Sequence, residues 1–161
     1  MTNRILVIHG PNLNLLGERE LACYGTLSLD TLNELLDLHA QAKGCQLECF
    51  QSNAEHEIID KIQQQTHAPR PLAIIINAAA LTHTSIALRD ALLAVKLPFY
   101  EVHLTNIFAR ESFRHVSYIS DIAKGVICGL GPLGYFAALD AALSDLPNTP
   151  ALEGSTLTQL E

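Results

Sequence analysis

Short apolar segments alternate with amphipathic segments along almost the whole chain. The first apolar segment, Ile5–Ile8, has the length and β-branching of a buried strand, and similar segments follow at 47–50, 72–76, 99–102 and 126–128. Between them, apolar residues recur every three or four positions, which is typical of helices that bury one face. Strands alternating with helices predict an α/β fold. Five strands in one small domain favour a flavodoxin-like parallel sheet in the order 2-1-3-4-5, with helices on both faces.

Polar residues and glycine mark where the helices begin and end. Ser28 is expected to cap the first helix, which ends near Gly44. Asn53 is expected to cap the second helix, and Thr84 or Ser85 the third. Each prediction rests on a side-chain oxygen that can accept a hydrogen bond from a free backbone N–H group in the first helical turn.

The composition is that of one ordinary folded domain. The chain has 161 residues, of which 48% are hydrophobic, so it is long enough to bury a full core. We expect a single catalytic domain over residues 1–146 and a loose tail, rich in Thr, Pro and Ser, over 147–161. The net charge of −7 argues against nucleic acid as a main partner, because phosphate binding needs a basic stripe. A local cationic site for a small anion is still compatible with this charge.

The cysteines and the N-terminal residues bear on the cellular compartment. Cys23, Cys45, Cys49 and Cys128 contain no Cys-x-x-Cys pair, so we expect neutral thiols and neither a metal finger nor a disulfide framework. The first residues lead directly into a strand without a signal or transit sequence, and no apolar segment has the length to span a membrane. The sequence therefore predicts a reduced, soluble, cytoplasmic protein.

The first polar cluster follows the first strand, in Gly10-Pro-Asn-Leu-Asn-Leu-Leu-Gly-Glu-Arg-Glu, closing at Tyr24-Gly25. Ligands of open α/β sheets bind at the carboxyl ends of the strands, so Asn12, Arg19 and Tyr24 are candidates for a site. A tyrosine is a poor base at neutral pH, but an adjacent guanidinium favours the phenolate. The segment is not a phosphate-binding P-loop, because it lacks the Gly-x4-Gly-Lys-Ser/Thr pattern.

A second polar cluster follows the third strand. Asn77 ends that strand, and three alanines, Thr82-His-Thr-Ser and Arg89-Asp90 come after it. The alanines would let a substrate approach the backbone, and the start of the next helix would offer N–H groups to an anion. The hydroxyl groups of 82–85 are equally well explained as helix caps, while His83 is a candidate for binding.

A third cluster closes the fourth strand, in Glu101-Val-His-Leu-Thr-Asn. Strand alternation places Glu101 and His103 on the same face, where the carboxylate can orient the imidazole and make it a better proton donor. Arg110 and Arg114 follow at helical spacing. Positive side chains at this edge of an acidic protein suggest a negatively charged substrate.

Residues of the second and third clusters are also candidate ligands of a metal ion. His83, His103 and Glu101 lack a pair of histidines at i and i+4 on a helix, so no metal ion is expected. An imine mechanism is not expected either, since the four lysines are predicted at helix ends or in loops away from the clustered strand ends.

Together these motifs resemble the type II 3-dehydroquinate dehydratases. The similarity runs from Ile5 to about Leu143 and is carried by the loop motif with Tyr24-Gly25, Thr82-His-Thr-Ser with Ala87-Leu-Arg-Asp, Glu101-Val-His-Leu-Thr-Asn with Arg114, and Gly125-Val-Ile-Cys-Gly-Leu-Gly. The resemblance implies a flavodoxin-like lyase that converts 3-dehydroquinate into 3-dehydroshikimate, without a cofactor, in the shikimate pathway of aromatic amino acid biosynthesis. It also implies a homo-oligomer, a dodecamer built from trimers.

The resemblance further implies a role for each site residue. Tyr24 would remove the proton beside the ketone to give an enolate, Arg19 would hold Tyr24 as the phenolate, and Asn12 would place a water against the enolate oxygen. His103, oriented by Glu101, would protonate the departing hydroxyl. The implied substrate-binding residues are Asn77, His83, Arg114, the backbone at Leu104 and Thr105, and Asp90 from a neighbouring subunit.

Three positions depart from the family pattern. Leu21 and Ala78 stand where the family commonly has proline, and Leu81 stands where it has an aromatic residue. We expect altered loop motion or affinity from these changes and no loss of chemistry. The alternative interpretation is a flavodoxin-like module that binds a nucleotide or a small anion without turnover. It explains the fold equally well, but it leaves the candidate base and the candidate acid unexplained.

Overall fold

Five parallel strands form the sheet. They are β1 (Arg4–His9), β2 (Gln46–Gln51), β3 (Ala73–Asn77), β4 (Phe99–His103) and β5 (Gly125–Cys128). The order across the sheet is β2-β1-β3-β4-β5, and every neighbouring pair is parallel. The predicted flavodoxin-like sheet is therefore confirmed.

The computed structural model describes residues 3–18, 22, 25–67 and 69–144. Arg19, Leu21, Cys23, Tyr24 and the predicted tail lie outside the described residues. The roles given to Arg19 and Tyr24, and the domain boundary near residue 146, thus stay predictions.

Helices cover both faces of the sheet. They are α1 (Leu29–Ala42), α2 (Glu55–Gln63), α3 (Ile86–Val95) and α4 (Leu133–Ser144). Helices α1 and α4 share one apolar core with one face of the sheet, and α2 and α3 share a second core with the other face. None of the described helices is both long enough and apolar enough to cross a membrane.

Alternation along β1 explains how one strand serves two cores. Ile5 and Val7 belong to the core under α1 and α4, whereas Leu6 and Ile8 belong to the core under α2 and α3. All four side chains are buried, and burial of each contributes roughly 1.5–3 kcal/mol to folding. A continuous apolar run is what a strand covered on both faces requires.

Two of the predicted helix caps are confirmed and one is wrong. Ser28 caps α1 and Ser85 caps α3, each by accepting a hydrogen bond from a backbone N–H in the first turn. Asn53 does not cap α2, which begins after Ala54 without a side-chain cap. The Asn53 side-chain oxygen instead accepts a hydrogen bond from the backbone N–H of Asn12, at 2.8 Å.

Glycines bring the loops after the strands close together. The Gly10 N–H donates to the Asn77 carbonyl at 2.7 Å, and a Cβ at Gly10 would lie 2.5 Å from the Ala78 carbonyl oxygen, so no side chain fits there. On the other side, Gly129 has a φ of +86° and its N–H donates to the His103 carbonyl at 3.2 Å. These contacts fix the backbone at the ends of β1, β3 and β4.

Two of the described cysteines, Cys45 and Cys49, lie in surroundings that favour the neutral thiol. Cys45, Cys49 and Cys128 are free thiols. Burial raises the pKa of Cys45, and burial together with the negative charges of Asp37 and Glu48 raises the pKa of Cys49 to about 12. Cys45 and Cys49 are therefore neutral at physiological pH.

Candidate active site

A cavity lies at the carboxyl ends of β1, β3 and β4. Its lining residues are Pro11, Asn12, Leu13, Leu16, Asn77, Ala79, Ala80, His83, His103, Leu104, Thr105, Ile107, Arg110 and Arg114. The fold thus brings together residues that are far apart in the sequence, and most of the predicted site residues are among them.

The remaining predicted site residues are not among these lining residues. Glu101 lies behind the cavity wall, hydrogen-bonded to His103. Asp90 is exposed on α3 and does not line the cavity of its own subunit. Arg19 and Tyr24 lie outside the described residues.

The N-terminus of the third helix is not part of the cavity lining, and the expectation that it binds an anion stays a prediction. The short 3-10 helix Ala79–His83 separates β3 from α3. Within the segment between β3 and α3, His83 is the last residue that lines the cavity. The first turn of α3 lies outside the cavity lining, and its cap, Ser85, is buried. The approach of the backbone to the cavity comes from Ala79 and Ala80 instead.

Asn12 is held in place by residues at the end of β2. Its φ of 70° lies in the left-handed region, which asparagine tolerates better than most residues. The Asn12 N–H donates to the Asn53 side-chain oxygen at 2.8 Å. Gln51 donates to the same oxygen at 3.1 Å and to the Gly10 carbonyl at 3.3 Å. The loop that carries Asn12 is therefore fixed to the neighbouring strand.

His103 and Glu101 form a buried pair. The His103 Nε2 lies 2.6 Å from the Glu101 Oε1, and Glu101 is fully buried. The hydroxyls of Ser117 and Ser120 donate to the same carboxyl group at 2.9 and 2.5 Å. Burial raises the pKa of Glu101, but the hydrogen bonds from His103, Ser120 and Ser117 together outweigh it and hold the pKa below its usual value. Glu101 is thus an ionised acceptor, Nε2 of His103 carries a proton, and Nδ1 is the ring nitrogen left for proton exchange at the cavity.

His83 is a neutral neighbour of His103. The two rings stack with centroids 6.2 Å apart and an interplanar angle of 20°. Burial lowers the pKa of His83 by more than its hydrogen bond to the Val116 carbonyl raises it, and the charges of His103 and Arg114 lower it further. Because Nδ1 donates to Val116 at 2.7 Å, Nε2 is the acceptor of the neutral ring.

Two arginines give the cavity a positive edge. Arg110 and Arg114 have helical spacing in the sequence, and two 3-10 turns, Ile107–Ala109 and Ser112–Arg114, carry this segment. Both side chains still reach the cavity. Glu111 contacts both guanidinium groups, and its Oε2 lies 2.7 Å from Nε of Arg114 and 3.8 Å from Nε of Arg110. The net charge of this triplet is positive, which suits an anionic ligand.

Histidine and carboxylate side chains can also bind a metal ion. Across the described residues, no group of three or more His, Cys, Asp or Glu side chains is placed to hold a metal ion. The Nε2 of His103 and the Nδ1 of His83 both face protein oxygens.

Comparison with known proteins assigns this arrangement to a family. The family model described as dehydroquinase class II matches residues 3–143. The chain belongs to this family. The resemblance seen in the sequence is therefore confirmed, and so is the prediction that the protein is an enzyme of this type.

Relatives within the dehydroquinase family match the chain over nearly its full length. The 3-dehydroquinate dehydratase of Nitrosomonas eutropha is 60% identical over 144 residues, which cover 89% of this chain and 99% of that protein. The 3-dehydroquinate dehydratase of Acinetobacter baylyi is 58% identical over 150 residues, covering 92% and 100%. The crystal structure of the type II dehydroquinase of Propionibacterium acnes has a TM-score of 0.85 at 40% identity, covering 90% of this chain and 99% of that chain.

Two departures from the dehydroquinase pattern lie beside the cavity. Ala78 is fully buried directly after Asn77. The next residue, Ala79, has a φ of 50°, a left-handed conformation that costs about 1 kcal/mol for a residue with a Cβ. Leu81 packs against the core under α2 and α3. The effect of these positions on loop motion or affinity stays a prediction.

Two buried residues with polar groups lie behind the cavity and were not predicted from the sequence. His9 ends β1 and Tyr135 lies on α4, and both are buried. The signal for His9 was present, because a histidine closes an apolar strand immediately before the Gly10-Pro11 turn. Tyr135 gave no comparable signal, since an aromatic residue is ordinary on the buried face of a helix.

Proposed function

We propose that this dehydroquinase dehydrates 3-dehydroquinate to 3-dehydroshikimate, the step of the shikimate pathway for aromatic amino acids. Relatives named 3-dehydroquinate dehydratase, at 58–60% identity over most of the chain, support this reaction. The observation that carries the proposal is the His103–Glu101 pair beside a cavity that also contains Arg110 and Arg114. It combines a proton donor with a binding site for an anion.

The acid step is assigned to His103. The reaction breaks a C–H bond beside the ketone and a C–O bond, forms a carbon–carbon double bond and releases water. The departing hydroxyl takes a proton from Nδ1 of His103, so that it leaves as water and not as hydroxide. The buried Glu101 carboxylate stabilises the positive ring before this transfer and keeps its orientation.

The base step is assigned to Tyr24. The pattern of the sequence supports it, since Arg19 precedes Tyr24 by five positions in the segment that follows β1. Removal of the proton beside the ketone gives an enolate, and Asn12 at the cavity wall holds a water against the enolate oxygen. Acid, base and cation are all side chains of the protein, so the proposal needs no cofactor.

Substrate binding is assigned to residues of the cavity wall. Arg114 pairs with the substrate carboxylate together with the backbone at Leu104 and Thr105. The neutral His83 accepts a hydrogen bond from a substrate hydroxyl at Nε2, because its Nδ1 is bound to a carbonyl. Asn77 contacts a second hydroxyl.

The proposal includes a homo-oligomer of trimers assembled into a dodecamer, in which Asp90 reaches the cavity of a neighbouring subunit. Its position on α3, outside the cavity of its own subunit, supports this role. Phe108, Phe113 and Leu133 are 65–69% exposed and supply apolar surface that assembly would bury.

The test is a direct assay of the purified protein after gel filtration has removed bound small molecules. With 3-dehydroquinate, the near-ultraviolet absorbance of the conjugated enone should rise at a rate proportional to the protein concentration. A chelator should not reduce that rate, and neither should borohydride, which traps imines. Binding of 3-dehydroquinate in calorimetry without any rise in absorbance would favour the non-catalytic binding module and overturn the proposal.

A further inference from the structure

A line of polar side chains runs from the half-buried Asn33 on α1 to the cavity wall. His9 at the end of β1 is fully buried, its Nε2 lies 2.8 Å from the Asn33 Oδ1, and its Nδ1 lies 2.9 Å from the Tyr135 hydroxyl. Burial raises the pKa of that hydroxyl, and a hydrogen bond with the side chain of Asn77, which lines the cavity, lowers it. The Asn77 Oδ1 accepts a hydrogen bond from the Ala79 N–H at 3.2 Å.

The direction of the first two hydrogen bonds follows from the charge of His9. Burial lowers the pKa of His9 to about 4, so the ring is neutral at pH 7 and carries one N–H group. The Asn33 oxygen can only accept, and therefore Nε2 carries the proton. The unprotonated Nδ1 then accepts, which makes the Tyr135 O–H the donor.

The direction of the hydrogen bond between Asn77 and Tyr135 follows from the direction of the bond between Tyr135 and His9. The Tyr135 hydroxyl has a single proton, which points to His9, so its oxygen can only accept from Asn77. The Asn77 amide nitrogen must therefore face Tyr135, in agreement with the bond from the Ala79 N–H to the amide oxygen. The amide nitrogen has two hydrogens, and the second remains for the cavity.

We propose that His9 and Tyr135 are positioning residues that hold the Asn77 amide so that it presents an N–H donor, and not its oxygen, to the ligand. This part of the cavity then selects an oxygen that accepts a hydrogen bond, such as a hydroxyl or carboxylate oxygen of a polyhydroxy acid. The inference concerns the substrate site and rests on the proposed function.

The kinetic test removes the Tyr135 hydroxyl and keeps the ring. Tyr135→Phe should raise the KM for 3-dehydroquinate about three- to tenfold, the range for one hydrogen bond, and change kcat less than about twofold. Tyr118→Phe, at an exposed tyrosine outside the cavity, is the matched control and should leave both constants unchanged. An unchanged KM for Tyr135→Phe, or a loss in kcat alone, would overturn the proposal.

A double-mutant cycle separates positioning from general damage to the fold. If Tyr135 acts through Asn77, then Tyr135→Phe should have no further effect on KM in an Asn77→Ala background. Independent effects would multiply, and that result contradicts the proposal. His9→Leu should behave like Tyr135→Phe in the same cycle. If His9→Leu does not fold, Tyr135→Phe alone decides.

A neutron crystal structure of the deuterated wild type tests the inference without turnover. Deuterium should appear on Nε2 of His9, and the Tyr135 hydroxyl deuterium should point to Nδ1. Deuterium on Nδ1, or the Asn77 oxygen facing Tyr135, would overturn the inference. If the protein proves inactive on 3-dehydroquinate while these positions are as expected, the proposed function fails and the orientation of Asn77 stands.

Discussion

At the scale of single residues, hydrogen-bond partners decide how Glu101 and His9 behave in similarly buried positions. Glu101 accepts three hydrogen bonds and has a lowered pKa, so it keeps its negative charge next to His103. His9 has two neutral partners, and burial holds it in the uncharged form. Glu101 therefore supports a positive charge on His103 at the cavity. His9 fixes the orientation of its hydrogen-bond partners behind the cavity.

Replacing the charge of Glu101 should impair catalysis more than binding. In Glu101→Gln the side chain keeps its shape, but it no longer stabilises a positive His103 and it brings two N–H donors among the donors Ser117 and Ser120. We expect kcat to fall on the order of 10²–10⁴-fold, the usual worth of acid–base catalysis, and KM to change little. The steady-state enone assay measures both constants. Glu55→Gln, at an exposed position in the first turn of α2, is the control and should have wild-type kinetics. A similar kcat for both variants would contradict the role of Glu101.

The lowered pKa of His9 makes folding stability depend on pH. Between about pH 6.5 and pH 4, the unfolded chain binds a proton at His9 and the folded protein does not, so the free energy of unfolding falls as the pH falls. A shift from 6.5 to about 4 corresponds to about 3 kcal/mol at 1.36 kcal/mol per unit. Urea unfolding of the wild type and of His9→Leu at both pH values measures the difference. Equal losses in the two proteins would show that His9 has no such effect.

At the scale of elements, the sequence predicted what local patterns determine. Apolar runs located the strands, and Ser28 and Ser85 cap the helices that follow them. The prediction for Asn53 was wrong because its side chain binds a loop from another element, a contact that no local pattern can show. The helical spacing of Arg110 and Arg114 does not reflect one α-helix, because the segment forms two short 3-10 turns.

The contact between the loops after β1 and β3 can be tested at Gly10. A Cβ at this position would lie 2.5 Å from the Ala78 carbonyl oxygen, so Gly10→Ala must separate the loops that carry Asn12 and Asn77. We expect a loss of about 1–3 kcal/mol in urea unfolding, together with a fall in kcat/KM. Gly44→Ala is the control. It also strains a left-handed position, with φ 70°, but it meets no atom and lies far from the cavity. It should lose about 1 kcal/mol of stability at unchanged kcat/KM. Unchanged kcat/KM in Gly10→Ala would contradict this account of the loops.

At the scale of the whole molecule, the sheet explains why distant motifs form one site. The carboxyl ends of β1, β3 and β4 lie side by side, so the polar residues that follow each strand meet at one cavity. This part of the site was predictable from the strand pattern alone. The line of polar side chains from Asn33 to Asn77 was not, because it depends on which side chains meet across α1, β1, β3 and α4.

The shared site of the proposed oligomer can be tested by complementation. Tyr24→Phe and Asp90→Ala subunits, each first shown to be nearly inactive and to fold, are refolded together and assayed. If Asp90 serves a neighbouring subunit, some cavities combine an intact Tyr24 with an intact Asp90, and activity returns in part. If Asp90 serves its own subunit, every cavity carries one defect and the mixture stays inactive. Refolding each variant alone under the same conditions is the control.

The central claim is that His103 protonates the hydroxyl that leaves 3-dehydroquinate. The most direct measurement is the kcat of His103→Ala in the enone assay, beside His56→Ala at an exposed histidine on α2. The account predicts that kcat falls at least about 10²-fold for His103→Ala, the usual minimum for loss of a general acid, and stays at the wild-type value for His56→Ala. If His103→Ala keeps more than about a tenth of the wild-type kcat, a loss under about 1.4 kcal/mol, another group is the acid.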